Sequence, residues 1–207
     1  FTLFCLMILI NGTNFIDGLN GLVLSYYLTI VLIVFKLGLF EYSFLNNLDV
    51  YIIMIVLIYL ILFNLFNQLY IGDSGSYLIG FITGYFLIQI YENGPLFSPY
   101  FIALLLWYPA FEILFSIIRK IKFKKSPFNP DNKHLHHLLF LCINKKYKLS
   151  NNFSNNLCSL IIILYNILIF YIATFNIYYT SLHISLFIFN IVVYLALYFK
   201  LSKTYFE

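Results

Sequence analysis

Long apolar runs alternate with short polar clusters along this chain, and the alternation sets the expected elements. Residues 22–40, 50–66, 77–91, 100–118, 157–177 and 182–199 are nearly continuous apolar stretches. Each approaches the roughly 20 residues that cross a hydrocarbon core. Residues 1–10 are apolar but too short to span alone, and they lack the basic flank of a signal peptide. They read as the tail of a helix that begins earlier. The expected fold is therefore all-α, a polytopic integral membrane helix bundle. It has about six full spans plus one truncated N-terminal helix, in a single transmembrane domain over 1–207 that is the C-terminal part of a longer chain.

Composition supports this class. Hydrophobic residues make up 62% and charged residues 10% of the 207, whereas soluble domains carry about 25% charged residues. The 24 Phe and 19 Tyr add apolar bulk and candidates for interfacial belts. Cys5, Cys142 and Cys158 show no paired or metal-type spacing and read as packing residues.

Charge gives an orientation. Arg119, Lys120, Lys122, Lys124, Lys125, Lys133, Lys145, Lys146 and Lys148 fall in one segment, residues 119–156. Lys200 and Lys203 lie near the C-terminal end, and only Lys36, of the 12 Lys and Arg, falls elsewhere. By the positive-inside rule the 119–156 segment is a cytoplasmic loop. Counting spans back from it puts every polar cluster described next on the same side, with the 41–49, 92–99 and 178–181 turns outside. The net charge of +4 is thus a juxtamembrane feature, attracted to anionic head groups, and not a nucleic-acid signal.

Three clusters carry candidate chemistry. In Asn11-Gly-Thr-Asn-Phe-Ile-Asp-Gly-Leu-Asn-Gly21, the residues Asn11, Asn14, Asp17 and Asn20 recur every three positions and share one strip of a helical turn. The alternative is a polar helix end capped by Asn and Gly. In Ile71-Gly-Asp-Ser-Gly-Ser76, Asp73 can bind Mg²⁺, which takes one or two protein carboxylates plus phosphate oxygens and water. Equally, Asp73 or Ser74 can be the N-cap of the next helix. In Ser126-Pro-Phe-Asn-Pro-Asp-Asn-Lys-His-Leu-His-His137, the imidazoles His134, His136 and His137 sit among lysines and suit phosphate oxygens. Zinc is the competing reading, disfavoured because no Cys is nearby and a carboxylate would have to be recruited. Glu112 lies inside a span three residues after Pro109. Such an acid should face protein or a wet cavity, with pairing to Arg119 ahead of a chemical role. His183, near the opposite face, reads as interfacial or structural.

In this order the three clusters resemble the polyprenyl-phosphate N-acetylhexosamine-1-phosphate transferases, glycosyltransferase family 4. Residues 11–22 look like the family's N-x-x-N-x-x-D-G-x-D-G-L segment, and 66–80 like its G-D-[SAG]-G-S stretch. Residues 126–137 look like S-P-F-x-P-D-R-x-H-[IL]-H-H, the form of the enterobacterial-common-antigen and teichoic-acid initiators. The resemblance runs over roughly residues 1–140. It implies transfer of a HexNAc-1-phosphate from a UDP-HexNAc to undecaprenyl phosphate with release of UMP and with Mg²⁺, at the start of cell-envelope polysaccharide synthesis. The implied location is the bacterial cytoplasmic membrane, among membrane lipids, with a homodimer allowed. By position it implies Asp73 as the magnesium ligand, Asp17, His134, His136 and His137 as further catalytic groups, and Asn11, Asn14, Asn20 and Tyr70 as substrate contacts, Tyr70 near the uracil.

This chain departs from the pattern at several points. Asn20 stands where many members have Asp, Asn132 replaces a frequent Arg, and Gln68 a common Lys. Asn64 lies one residue nearer the Gly-Asp pair than the usual Asn. The family's paired aspartates from an earlier loop are not among these residues, so the 207-residue chain alone is expected to be inactive. Alternatives of other classes are a lipid-linked-sugar flippase or transporter, and a non-catalytic relative.

Overall fold

The computed structural model describes residues 2–122, 124 and 133–206. Residues 126–132 of the third cluster, with Asn132, lie outside them. Helices and short turns account for the described chain: α1 (Thr2–Phe15), α2 (Leu22–Lys36), a 3-10 turn (Leu39–Tyr42), α3 (Asn47–Leu65), α4 (Gly72–Asn93), α5 (Pro99–Leu105), α6 (Trp107–Lys122), α7 (Leu135–Tyr147), α8 (Asn151–Ala173) and α9 (Thr180–Phe206).

Among the described residues, α3, α8 and residues 180–204 of α9 are long and apolar enough to cross a membrane. The bent pair α5–α6 makes a fourth if counted as one span. The six expected spans are thus not all reproduced. The run at 22–40 forms a 15-residue helix that stops at Lys36, about 22 Å at 1.5 Å per residue. Its lipid exposure is small, because Leu22, Tyr26, Tyr27, Ile30 and Val34 are buried on successive turns. The run at 77–91 lies in a helix that starts earlier, at Gly72, and takes the second polar cluster into its first turn. The 119–156 segment, expected as a loop, contains α7 and the starts and ends of its neighbours.

Local chemistry explains several boundaries. Asn46 and Asp49 cap α3 reciprocally, each side chain accepting the other's backbone N–H at 3.0 Å, a device worth about 1 kcal/mol. The break between α5 and α6 is a 72° bend just before Pro109, which sits in the first turn of α6, where its missing N–H is tolerated. Proline cannot bond the carbonyl four residues back, and that carbonyl, on Leu105, accepts the Tyr26 hydroxyl at 2.7 Å. The Tyr26 hydroxyl thus satisfies the carbonyl that the proline leaves free.

Packing converges on α2, against α3 on one side and α8 on another, while α1 lies against α4 and α6. The α1–α6 crossing is close: a Cβ at Gly12 would overlap the Pro109 carbonyl. Trp107 donates to Asn166 at 2.8 Å, tying the start of α6 to α8. The α3 surface, by contrast, exposes Ile52, Ile55, Tyr59 and Leu62, as a lipid-facing helix does. One end of the bundle gathers the end of α1 and the starts of α4, α7 and α8. The other end is closed by turns, with Ser98 donating to Ile177 O at 3.0 Å and Asn93 to Tyr42 O at 3.3 Å.

Candidate active site

The polar strip read from the first cluster continues past α1 as a turn, with Ile16 N–H on Gly12 O and Asp17 N–H on Asn14 O, both at 3.2 Å. Asn14 is fixed from two sides: its amide donates to Tyr77 Oη and its oxygen accepts from Ser76 Oγ, both at 3.1 Å. Asp17 sits nearby with its carboxyl raised to about 6, first by burial and second by the charge of Asp73. Two carboxylates that sense each other this way share one space. Asn11 donates to Met7 O at 2.7 Å.

The second cluster is the N-terminus of α4. Neither Asp73 nor Ser74 is the N-cap: Ile71 holds that position, and no side chain caps the helix. Asp73 falls in the first helical turn with an exposed carboxylate, favoured there by the helix dipole. The carboxylate is therefore not consumed by capping. Tyr70 stands just before it, 76% exposed.

The third cluster opens α7. His134 precedes the helix in extended conformation and is buried. Its Nδ1 lies 2.9 Å from Glu112 Oε1, and the same oxygen accepts the Leu135 N–H at 3.3 Å. Glu112, 1% exposed, thus pairs with His134 and not with Arg119, the partner expected from sequence. Arg119 instead donates to the Lys133 carbonyl, to Tyr198 Oη at 2.9 Å and to Ser116 Oγ at 3.3 Å. Two helical turns on α6 separate Glu112 from Arg119, and the chain returning at His134 comes between those partnerships.

These parts meet around one cavity of about 1120 Å³, lined by Asn11, Asn14, Asp17, Asn20, Tyr70, Asp73, His134 and His137 among others. A cavity of this size is at the upper end for small-molecule sites. His136 departs from the expected grouping. Its ring is fully buried, off the cavity wall, with neither nitrogen hydrogen-bonded. It packs so tightly on the first cluster that a Cβ at Gly18 would come within 2.5 Å of His136 Nε2. Burial first, then the neighbouring His137 and His134, keep its pKa well below the ordinary value. A neutral, enclosed ring is a wedge between α7 and the first cluster, not an exposed phosphate donor.

Around Asn20 and Asn64 the cavity also takes Asn67, Asn155 and Lys120, to which no motif points. Asn20 donates its backbone N–H to Asn155 Oδ1 at 2.7 Å and its side-chain amide to Asn67 Oδ1 at 2.6 Å. Asn64 accepts the Gly21 N–H and donates to Leu69 O at 2.7 Å. Asn67, Asn155 and Lys120 all line the cavity. Lys120 is buried in the last turn of α6; in the sequence it is one of nine basic residues in a single segment, with nothing that singles it out.

Mg²⁺ is tested by the donors present. Among the described residues no group of three or more His, Cys, Asp or Glu forms a metal cage. Asp17 and Asp73, two carboxylates lining one cavity, do meet what Mg²⁺ asks of a protein when phosphate and water supply the rest.

Comparison with known proteins finds relatives over part of the chain. Residues 1–91 match the model of glycosyl transferase family 4. The undecaprenyl-phosphate alpha-N-acetylglucosaminyl 1-phosphate transferase of Thermotoga maritima is 29% identical over 138 residues, 66% of this chain and 41% of that protein. Over part of its length, the chain is homologous to glycosyl transferase family 4. The enzyme of the same name from Yersinia pestis is 28% identical over 148 residues, covering 67% and 40% of the two chains. The decaprenyl-phosphate N-acetylglucosaminephosphotransferase of Mycolicibacterium smegmatis is 29% identical over 154 residues, covering 63% and 37%. The chain spans about two fifths of the length of these relatives. No solved structure matches it. The long apolar helices are consistent with a multi-pass membrane protein.

Proposed function

We propose that the cavity serves the transfer of a HexNAc-1-phosphate from a UDP-HexNAc to a polyprenyl phosphate, undecaprenyl phosphate in a bacterium. The observation that carries this reading is the convergence of Asp17, Asp73, His134, His137 and the four substrate-type residues around one cavity from three distant segments. Nothing in the periodicity of the spans requires that meeting.

In the reaction an oxygen of the lipid phosphate attacks the β-phosphorus. The bond from that phosphorus to the oxygen bridging to the α-phosphate breaks, and UMP departs with the electron pair. Such chemistry depends on alignment and on spreading negative charge. Asp73, with Asp17 on the same cavity, would hold Mg²⁺, which when bound neutralises pyrophosphate oxygens. His134, His137 and Lys120 supply donors along the α6–α7 wall for the remaining oxygens. Asn14, braced by Ser76 and Tyr77, and Asn20, braced by Asn67, orient amides toward the nucleotide or sugar. Tyr70 at the rim offers a face on which a uracil can stack. His136 acts through packing, by holding His137 and Gly18 in register.

The cavity end is also the basic end, with Lys120, Lys133 and Lys145 there and Lys36 at the other, which supports a cytoplasmic opening in the bacterial inner membrane. A site at helix ends favours an enzyme that meets a soluble donor over a transporter, whose site would lie near the bilayer midplane. The test is Mg²⁺-dependent release of UMP from UDP-HexNAc and undecaprenyl phosphate by the protein as its cell makes it. Release that requires both substrates supports the reading. Absence of release from well-folded protein supports the non-catalytic alternative.

A further inference from the structure

Glu112 has no place in the three motifs, yet it is the most enclosed acid of the site. Its Oε1 is 2.9 Å from His134 Nδ1 and 3.3 Å from the Leu135 nitrogen. The acid is 1% exposed and the imidazole 5%. Carboxylates are rare inside spans and persist where they bind a partner. Here the partner has a second nitrogen. His134 lines the cavity, and its Nε2 has no hydrogen-bond partner among the described residues. Phe15 packs edge-on against the ring at 5.2 Å, and His136 stacks on it at 5.6 Å. Both neighbours restrict the orientation of the ring.

We infer that Glu112 is a positioning residue that fixes the tautomer and aim of His134, keeping the proton on Nδ1 and turning Nε2 to the substrate phosphate. The reasoning is geometric. Which nitrogen of an imidazole carries the proton is set by the bond the other one makes. A carboxylate only accepts, so Nδ1 must donate to it. Nε2 is then left bare when the ring is neutral and becomes the outward donor when it is protonated. Because Oε1 also receives the Leu135 N–H, the same acid anchors the first turn of α7, from which His137 reaches the cavity. One buried group on α6 thus sets the placement of two imidazoles at the start of α7, one on its N-cap and one in its first turn. The aim toward phosphate rests on the function proposed above, whereas the tautomer does not.

The chain holds only four histidines, so its ring nitrogens can be resolved after ¹⁵N-histidine labelling of the purified protein in detergent. In the unaltered protein the His134 ring should carry its proton on Nδ1. In Glu112→Met, which keeps bulk but removes the acceptor, it should move to the Nε2-protonated form, with the His183 signals unchanged as a check of the fold. Affinity for UDP-N-acetylglucosamine with Mg²⁺ should fall about tenfold to a hundredfold, as loss of a buried charge-assisted bond does. Glu112→Gln, which retains an acceptor oxygen, should recover part of that affinity. An Nε2-protonated His134 in the unaltered protein overturns the inference, even if the Met variant does not fold. So does a Met variant with unchanged ring signals and unchanged affinity. If the unaltered protein takes up no UDP-N-acetylglucosamine, the proposed function and the phosphate aim fall together, and the ring signals still decide the tautomer.

Discussion

His134 and His183 are both buried imidazoles, one at each end of the same bundle, and their surroundings differ in one respect that matters. His183 is sealed: its Nε2 lies 3.2 Å from the Ala173 carbonyl, and the Phe101 ring is 5.4 Å away. His134 binds a carboxylate with one nitrogen and keeps the other on a cavity. The contrast extends to the ends themselves. Around His183 the turns close on each other through backbone and amide bonds. Around His134, helix starts hold carboxylates, amides and imidazoles apart around open space. A buried polar residue becomes a candidate for chemistry when its bonds leave one atom directed at a cavity, and a structural residue when they do not.

The sharpest way to break this comparison is to remove the carboxylate that capping does not consume. Asp73→Ala should lower Mg²⁺-dependent UMP release by the whole protein on the order of 10³-fold, with expression and melting unchanged. A mild loss would move the metal site elsewhere. Next in size is Gly18→Ala, which puts a methyl 2.5 Å from His136 Nε2. Overpacking of this kind costs roughly 1–3 kcal/mol, and a thermal melt in detergent, together with weaker UDP-sugar binding, would report it.

The third prediction concerns pH and stability. His136 has a folded-state pKa below its unfolded value because burial disfavours the charged ring. Below about pH 6.5 the unfolded chain takes up a proton that the folded chain refuses. Stability should therefore fall as pH is lowered from 6.5, with a slope of at most about 1.4 kcal/mol per pH unit from this group. Melting temperatures at pH 7.5 and 5.5 would measure it, and His136→Phe should flatten the difference. The smallest effect belongs to the closed end. Asn93→Ala removes one exposed bond and should cost within about 0.5 kcal/mol, leaving UDP-sugar affinity as it was.

Much of this arrangement could be read before the fold was known. The spacing of Asn11, Asn14 and Asp17 is a local signal, and it carries into the structure, where all three line the cavity. Four things could not be read. Asp73 looked as suitable for a cap as for a site, because a Gly-Asp-Ser sequence serves either, and only the helix start at Gly72 separates them. Glu112 was matched to Arg119 by helical spacing, but the partner it takes is 22 residues away, brought by the fold of α7. Asn67, Asn155 and Lys120 carried no pattern of their own; they join the cavity through amide bonds and a buried helix end that link distant segments. His136 looked equivalent to its neighbours in a short motif, yet the turn into α7 sends it inward while His134 and His137 face the cavity.

The central claim is that Asp17, Asp73, His134 and His137 share one nucleotide-sugar pocket that excludes the far end. Mn²⁺ is held by the same carboxylate and phosphate oxygens as Mg²⁺ and broadens nearby nuclear resonances. Added with UDP-N-acetylglucosamine to ¹⁵N-histidine-labelled protein, it should broaden the ring signals of His134 and His137, leave those of His183 sharp, and do neither in Asp73→Ala. Equal broadening of His183, or none at His134 and His137 with the sugar nucleotide bound, would contradict the account.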